Sequence, residues 1–126
     1  MIITKGEEKL VTLTTIPTLA EGNYKSIIGN VDFIKDCKTD YGFKDFIEID
    51  YTINVGITEQ SKKEKIMLSQ AKNSRCYKFL LEIYKGNIPM EIDINNFIGK
   101  RCTLTIKHNT DDKGNIYANI VERCFE

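Results

Sequence analysis

The 126-residue chain has little of what usually announces a chemistry. It has one histidine, His108, and its four cysteines, Cys37, Cys76, Cys102 and Cys124, lie too far apart for any CxxC pair. Zinc sites take such ligands at short spacing, so no metal site is expected. No apolar run exceeds four residues, against the roughly 20 needed to span a bilayer. The sequence has no GxxxxGKS or GxxxxGKT loop, no HExxH and no GxSxG. That removes the common routes to nucleotide, zinc-protease and serine-hydrolase chemistry. "YKGNIP" is a single-glycine turn and no phosphate cradle. An enzyme is not expected, and no cofactor is implied. Net charge is also missing: 18 basic residues balance 18 acidic ones. This argues against a wholly basic nucleic-acid binder and leaves room for a local basic groove. The opening "MIITKGEEKLVTL" lacks the uninterrupted apolar core of a secretion signal, which points to the cytoplasm.

What the chain does have is a globular composition, 41% hydrophobic and 29% charged. Its length suits one core and no more. Residues 1–21 read as an N-terminal arm or an extra edge strand, because "KLVTLTT" is strand-like and Pro17 then interrupts it. Residues 22–126 read as a single domain.

In "EGNYKSIIGNVDFIK", Tyr24, Ile27, Ile28, Val31, Phe33 and Ile34 favour a strand. Gly29 falls in the middle, where a glycine marks a bulge or bend that swaps the inward face. "DCKTDYGF" is a polar turn. In "DFIEIDYTINVG", Ile47, Ile49, Tyr51, Ile53 and Val55 share one face, and Phe46, Glu48, Asp50, Thr52 and Asn54 share the other. "ITEQSKKEK" reads as a loop and "KIMLS" as a short third strand.

The period then changes. Cys76, Phe79, Leu80 and Ile83 recur at helical spacing, with Asn73 or Ser74 to cap the start and Gly86 to end the helix. "DINNFIGK" adds a helical turn capped by Asp93, with Phe97 and Ile98 inward. Cys102, Leu104 and Ile106 form one face of a fourth strand. Ile116, Ala118 and Ile120 form one face of a fifth. "HNTDDKGN" connects them, and Gly114 supplies the positive φ of the turn. Cys102 and Cys124 read as small core residues.

Three strands, a helix, then two strands make a mainly β chain. A five-stranded barrel with one α-helix between strands three and four is the OB-fold plan. Closure would fill one face of every strand and remove the sheet edges.

Four stretches carry a likeness: "EGNYKSIIGNVDF", "YGFKDFIEIDYTI", "NSRCYKFL" and "FIGKRCTLTIKHNTDDKGNIYANIVE". Together they cover about residues 21–122. On them the chain resembles small phage proteins of Gram-positive hosts, OB-fold proteins of the single-stranded-DNA-binding kind. The resemblance implies a non-enzymatic role in phage DNA replication or recombination, in the bacterial host cytoplasm. The partner would be single-stranded DNA, with a homo-oligomer or a phage or host replication protein as further partners. The acidic, phenylalanine-ended tail that many single-strand binders use is missing; the chain ends "RCFE".

An OB barrel that holds a single strand needs aromatic faces for bases and cations for phosphates. Lys38, Tyr41, Phe43, Lys44 and Phe46 supply both from the first hairpin, and Lys107, His108, Lys113 and Tyr117 from the last. Tyr41 and Phe43 read either as a stacking platform beside Lys44 or as a cap on the barrel mouth. His108 reads either as a base contact or as a structural strand-end residue. Asp111 and Asp112 would repel phosphate and read as turn formers. A second basic surface is open: Lys62, Lys63, Lys65, Lys72, Arg75 and Lys78 stand in one stretch against the single acid Glu64. The alternative function is a protein-interaction module on the same fold, a phage accessory protein or host-defence inhibitor. There Phe46, Tyr51 or the N-terminal arm would meet a protein.

Overall fold

A computed structural model describes residues 19–126; the strand-like part of the N-terminal arm lies outside the described residues. The elements in order are β1 (Gly22–Thr39), β2 (Gly42–Val55), β3 (Thr58–Met67), α1 (Arg75–Ile83), a 3-10 turn (Ile94–Phe97), β4 (Arg101–Thr110) and β5 (Ile116–Phe125). The five strands form one antiparallel sheet in the order β3-β2-β1-β4-β5. The mainly β class and the single helix between the third and fourth strands are as expected. The expected closure is not: among the described residues no ladder joins β3 to β5, so the sheet stays open. α1 packs against both of these edge strands.

β2 follows its alternation. Ile47, Ile49, Tyr51 and Ile53 are buried, while Phe46, Glu48, Asp50 and Thr52 stay partly exposed. β1 bends where its glycine sits, with a register shift between Ile28 and Asn30. A Cβ on Gly29 would lie 3.4 Å from Thr52 Oγ1, so the strands approach closely there. The bend lets one strand serve both halves of the sheet: residues 22–27 pair with β4 and residues 26–39 with β2. A second shift, between Ile34 and Cys37, is held by the Asp36 N–H donating to Asp45 Oδ1 at 2.9 Å.

The segment read as a loop plus a short strand is one strand, Thr58–Met67, joined to β2 by a tight turn. Gly56 takes φ 63° there. The strand was illegible because Ile66 is its only buried apolar residue. Lysines on an edge strand also discourage pairing with other chains. The two other turns are tighter than expected as well, because β1 runs to Thr39 and β4 to Thr110.

α1 matches its reading. Ser74 caps it, accepting the Tyr77 N–H at 3.1 Å, and Cys76, Phe79 and Ile83 are buried. Gly86 and Gly114 carry positive φ, 91° and 84°. Phe79 meets Phe97 and Phe125 edge-on, with centroids 5.6 and 6.1 Å apart. Ile98 does not join Phe97 inside; the chain leaves the 3-10 turn extended at that residue, which turns the side chain outward, 44% exposed.

β5 holds the main surprise. Ile106 pairs with Ile120, yet Thr105 pairs with Glu122, so Val121 is an extra, bulged residue. A one-residue bulge swaps the faces of everything beyond it. Cys124, read as a core residue, is therefore exposed, while Arg123 and Phe125 turn inward. Arg123 is 5% exposed. Its Nε donates to Glu64 Oε1 at 2.9 Å, Nη2 pairs with Glu64 Oε2, and Nη1 donates to Glu82 Oε1 at 2.8 Å. Its backbone N–H donates to Glu82 Oε2 at 3.1 Å. Burial works against this charge, but the hydrogen bonds and charge of Glu64 outweigh it, so the guanidinium holds its proton more tightly than usual. Tyr51, which the protein-contact reading placed at a surface, is fully buried and donates its hydroxyl to Glu64 Oε1 at 3.1 Å. Burial, then the neighbouring Glu64 charge, raises the phenol pKa above its ordinary value.

Breaking a buried ion pair from one side leaves its partner uncompensated. Arg123→Met strands two carboxylates and is expected to cost about 3–5 kcal/mol. Tyr51→Phe leaves the pair intact and removes one hydrogen bond to a charged acceptor, so it should cost less, about 1.5–3 kcal/mol. Urea unfolding at constant m-value measures both; equal losses would show that the arginine does not hold the two carboxylates in place.

Candidate nucleic-acid interface

The register decides which of the expected site residues share a surface. Gly22 pairs with Ile106 and Ile27 with Arg101, so the β4–β5 loop lies at the end of the sheet where β1 begins. The β1–β2 turn lies at the opposite end, past the pairing of Thr39 with Gly42. The nine residues are thus split into two groups and do not form one groove.

At the β1–β2 end, Tyr41 is 83% and Phe43 69% exposed, and Lys38 pairs with Phe43 across the hairpin. The turn is pinned by Thr39 Oγ1, which donates to Gly42 O at 2.7 Å and accepts the Tyr41 N–H at 3.1 Å. Lys44 is exposed opposite Cys37. Phe46 is half-buried under the Lys65 ammonium, 4.6 Å from the ring centroid. On the same outer face, Lys63 pairs with Glu48 at 4.0 Å.

At the β4–β5 end, His108 is engaged internally. Its Nε2 lies 2.8 Å from Leu19 O, and since a carbonyl only accepts, Nε2 carries the proton. The His108 N–H donates to Glu21 Oε2 at 2.7 Å, which lowers the Glu21 pKa. His108 therefore ties residues 19–21 to β4, and Leu19 is buried in the core. Lys107 and Lys113 are exposed. Asp111 organises the loop as expected: Oδ1 accepts the Lys113 and Asn115 N–H groups, both at 2.9 Å, and Oδ2 accepts the Tyr117 hydroxyl at 3.0 Å.

A groove runs between the start of α1 and β5, where the sheet fails to close. β3, α1 and the segment before it contribute Lys62, Lys72, Arg75 and Lys78 to its lining, and β4 and β5 contribute Asn109, Tyr117 and Asn119. Leu81, Ala118, Ile120 and Val121 add apolar surface, and no aspartate or glutamate lines it. The acid that the sequence placed in this basic stretch, Glu64, points inward to Arg123. Lys62 Nζ donates to Ala118 O and Lys78 Nζ to Val121 O, each at 2.8 Å. Both ammoniums are thereby held on carbonyls of the open β5 edge. Of the nine expected residues only Tyr117 reaches this groove. The lysine stretch was the sequence signal for it.

A second groove is apolar, lined by Phe33, Ile47, Leu68, Leu80, Ile92 and Phe97 among others. Among the described residues no three or more histidines, cysteines, aspartates or glutamates cluster as metal ligands. No helix among them is long and apolar enough to cross a membrane. Comparisons with protein-family models, curated proteins and solved structures find no match.

The Asp111 carboxyl is held below its ordinary pKa, first by the Asn115 N–H and further by the Asn115 side chain, Tyr117 and Lys113. Because the folded value lies below the unfolded one, these bonds stabilise the loop above the unfolded aspartate value of about 3.9. That stabilisation is lost as pH falls through the folded value. Carbon-detected NMR should find the Asp111 carboxyl titrating below the other exposed aspartates; titration among them would contradict the loop geometry.

Proposed function

We propose that the protein binds single-stranded nucleic acid, without catalysis, in the groove between α1 and β5. One observation carries this: besides Arg123, whose charge is met by Glu64 and Glu82, four cations converge on a groove with apolar patches and no carboxylate in its lining, in a chain with no net charge. Phosphates meet the lysines and Arg75, and unstacked bases lie against the apolar and aromatic side. A duplex hides its bases and would use only the cations. The resemblance to phage single-strand-binding-like proteins supports DNA as the strand, and a role in phage replication or recombination. The strand order supports an OB-type reading, since pairing of β3 with β5 is the one step that separates this sheet from a barrel of that plan.

A protein-interaction module on the same fold is the second reading. The apolar groove favours it, because Phe33, Leu68 and Ile92 there are 52%, 40% and 36% exposed. Salt separates the two, because phosphate binding weakens steeply with ionic strength and an apolar interface need not.

Fluorescence anisotropy with labelled poly-dT should show binding whose logarithm falls with log salt at a slope of about −2 to −3, from four cations at about 0.7 each. Lys72→Ala with Arg75→Ala should flatten the slope by about 1.4, and Lys38→Ala with Lys44→Ala should leave it unchanged. The opposite pattern would move the site to the β1–β2 end. No binding at low salt would reject the function.

A further inference from the structure

Tyr117 is the one aromatic ring in the groove lining. The residue is 43% exposed, yet both of its ends are fixed. Its backbone is held in the ladder opposite Asn109. Its hydroxyl is held by Asp111, whose other oxygen closes the loop through two backbone N–H groups. An exposed tyrosine is ordinarily free to change rotamer, and ordering it on a ligand costs entropy. This ring is ordered in advance. Beside it, Asn119 Nδ2 donates to Asn109 Oδ1. That leaves Asn119 Oδ1 and Asn109 Nδ2, an acceptor and a donor, next to the ring. Lys72 and Arg75, from the α1 end, line the same groove.

From this geometry we infer that Tyr117 is the base-stacking platform of the groove and that Asp111 is its positioning residue. The inference rests on the groove being a single-strand site and names its nucleobase contact. One base stacks on the Tyr117 ring with its edge towards the Asn109–Asn119 amides. The adjoining phosphates face Lys72 and Arg75. The Asp111 carboxylate, which would repel a phosphate, acts through the hydroxyl it holds and touches no part of the strand.

The chain contains no tryptophan, so Tyr117→Trp installs a single reporter at the platform. Its emission should be quenched in step with the anisotropy rise as oligo-dT is added at low salt. Tyr117→Leu should weaken binding about 5- to 150-fold, the range for loss of one stacked base. Tyr117→Phe keeps the ring and should lose much less. Asp111→Asn keeps an oxygen for the loop N–H groups, so the turn is retained. It should weaken binding when residue 117 is tyrosine and have no further effect in the Tyr117→Phe background, the coupling expected of a residue that acts through the hydroxyl. Full-strength binding by Tyr117→Leu, or unchanged tryptophan emission while anisotropy rises, would overturn the platform and leave the groove standing. An Asp111→Asn loss equal in both backgrounds would overturn the positioning role. Failure of the wild-type chain to bind at all would overturn the groove and the platform together.

Discussion

The Arg123 guanidinium ties together β3, β5 and α1, which the sheet hydrogen bonds leave apart. Glu64 lies on one edge strand, Arg123 on the other and Glu82 on the helix between. The sheet ladder ends at β3 on one side and β5 on the other. A buried charge is costly to desolvate and is kept only where its hydrogen bonds are met. Here Glu64, Glu82 and the Tyr51 hydroxyl supply and order those bonds, and Phe79 lies under the guanidinium at 5.7 Å. The arrangement exists only because Val121 is bulged, since an unbroken β5 would point Arg123 at solvent.

The charge distribution at the surface follows from this. Glu64 goes to Arg123, which leaves the lysines of its stretch without their local acid. Two of them, Lys62 and Lys78, settle on exposed carbonyls of β5. The open seam thus becomes a positively lined groove on a molecule whose total charge is zero. The same lysines guard an unpaired strand edge, so protection of the fold and presentation of cations come from one set of side chains.

Much of the architecture was legible in the sequence wherever a hydrophobic period ran unbroken. β2 showed its two faces, α1 showed its stripe and cap, and Gly29 marked the bend of β1. β3 was hidden because its inward positions include Lys62 and Glu64, which no hydrophobic pattern identifies as core-facing. The inward turn of Arg123 was hidden because a bulge at a valine leaves no compositional trace. Ile98 was misplaced by extending a helical face one residue past the end of its turn. The candidate site was legible only in part. The aromatic and basic residues of the two hairpins were visible, but the register that sends their tips to opposite ends of the sheet is a property of long-range pairing. The lysine stretch between residues 60 and 78 was visible too; what could not be read was that its one acid would turn inward.

On the reading proposed above, the seam between α1 and β5, and neither hairpin tip nor the apolar groove, is where the molecule meets its partner. Titration of a short oligo-dT into isotopically labelled protein, followed by amide NMR at low salt, tests it most directly. Binding at the seam should give shifts concentrated at residues 72–78 and 116–121. Shifts confined to residues 38–46, or no shifts at the seam while other amides move, would contradict it.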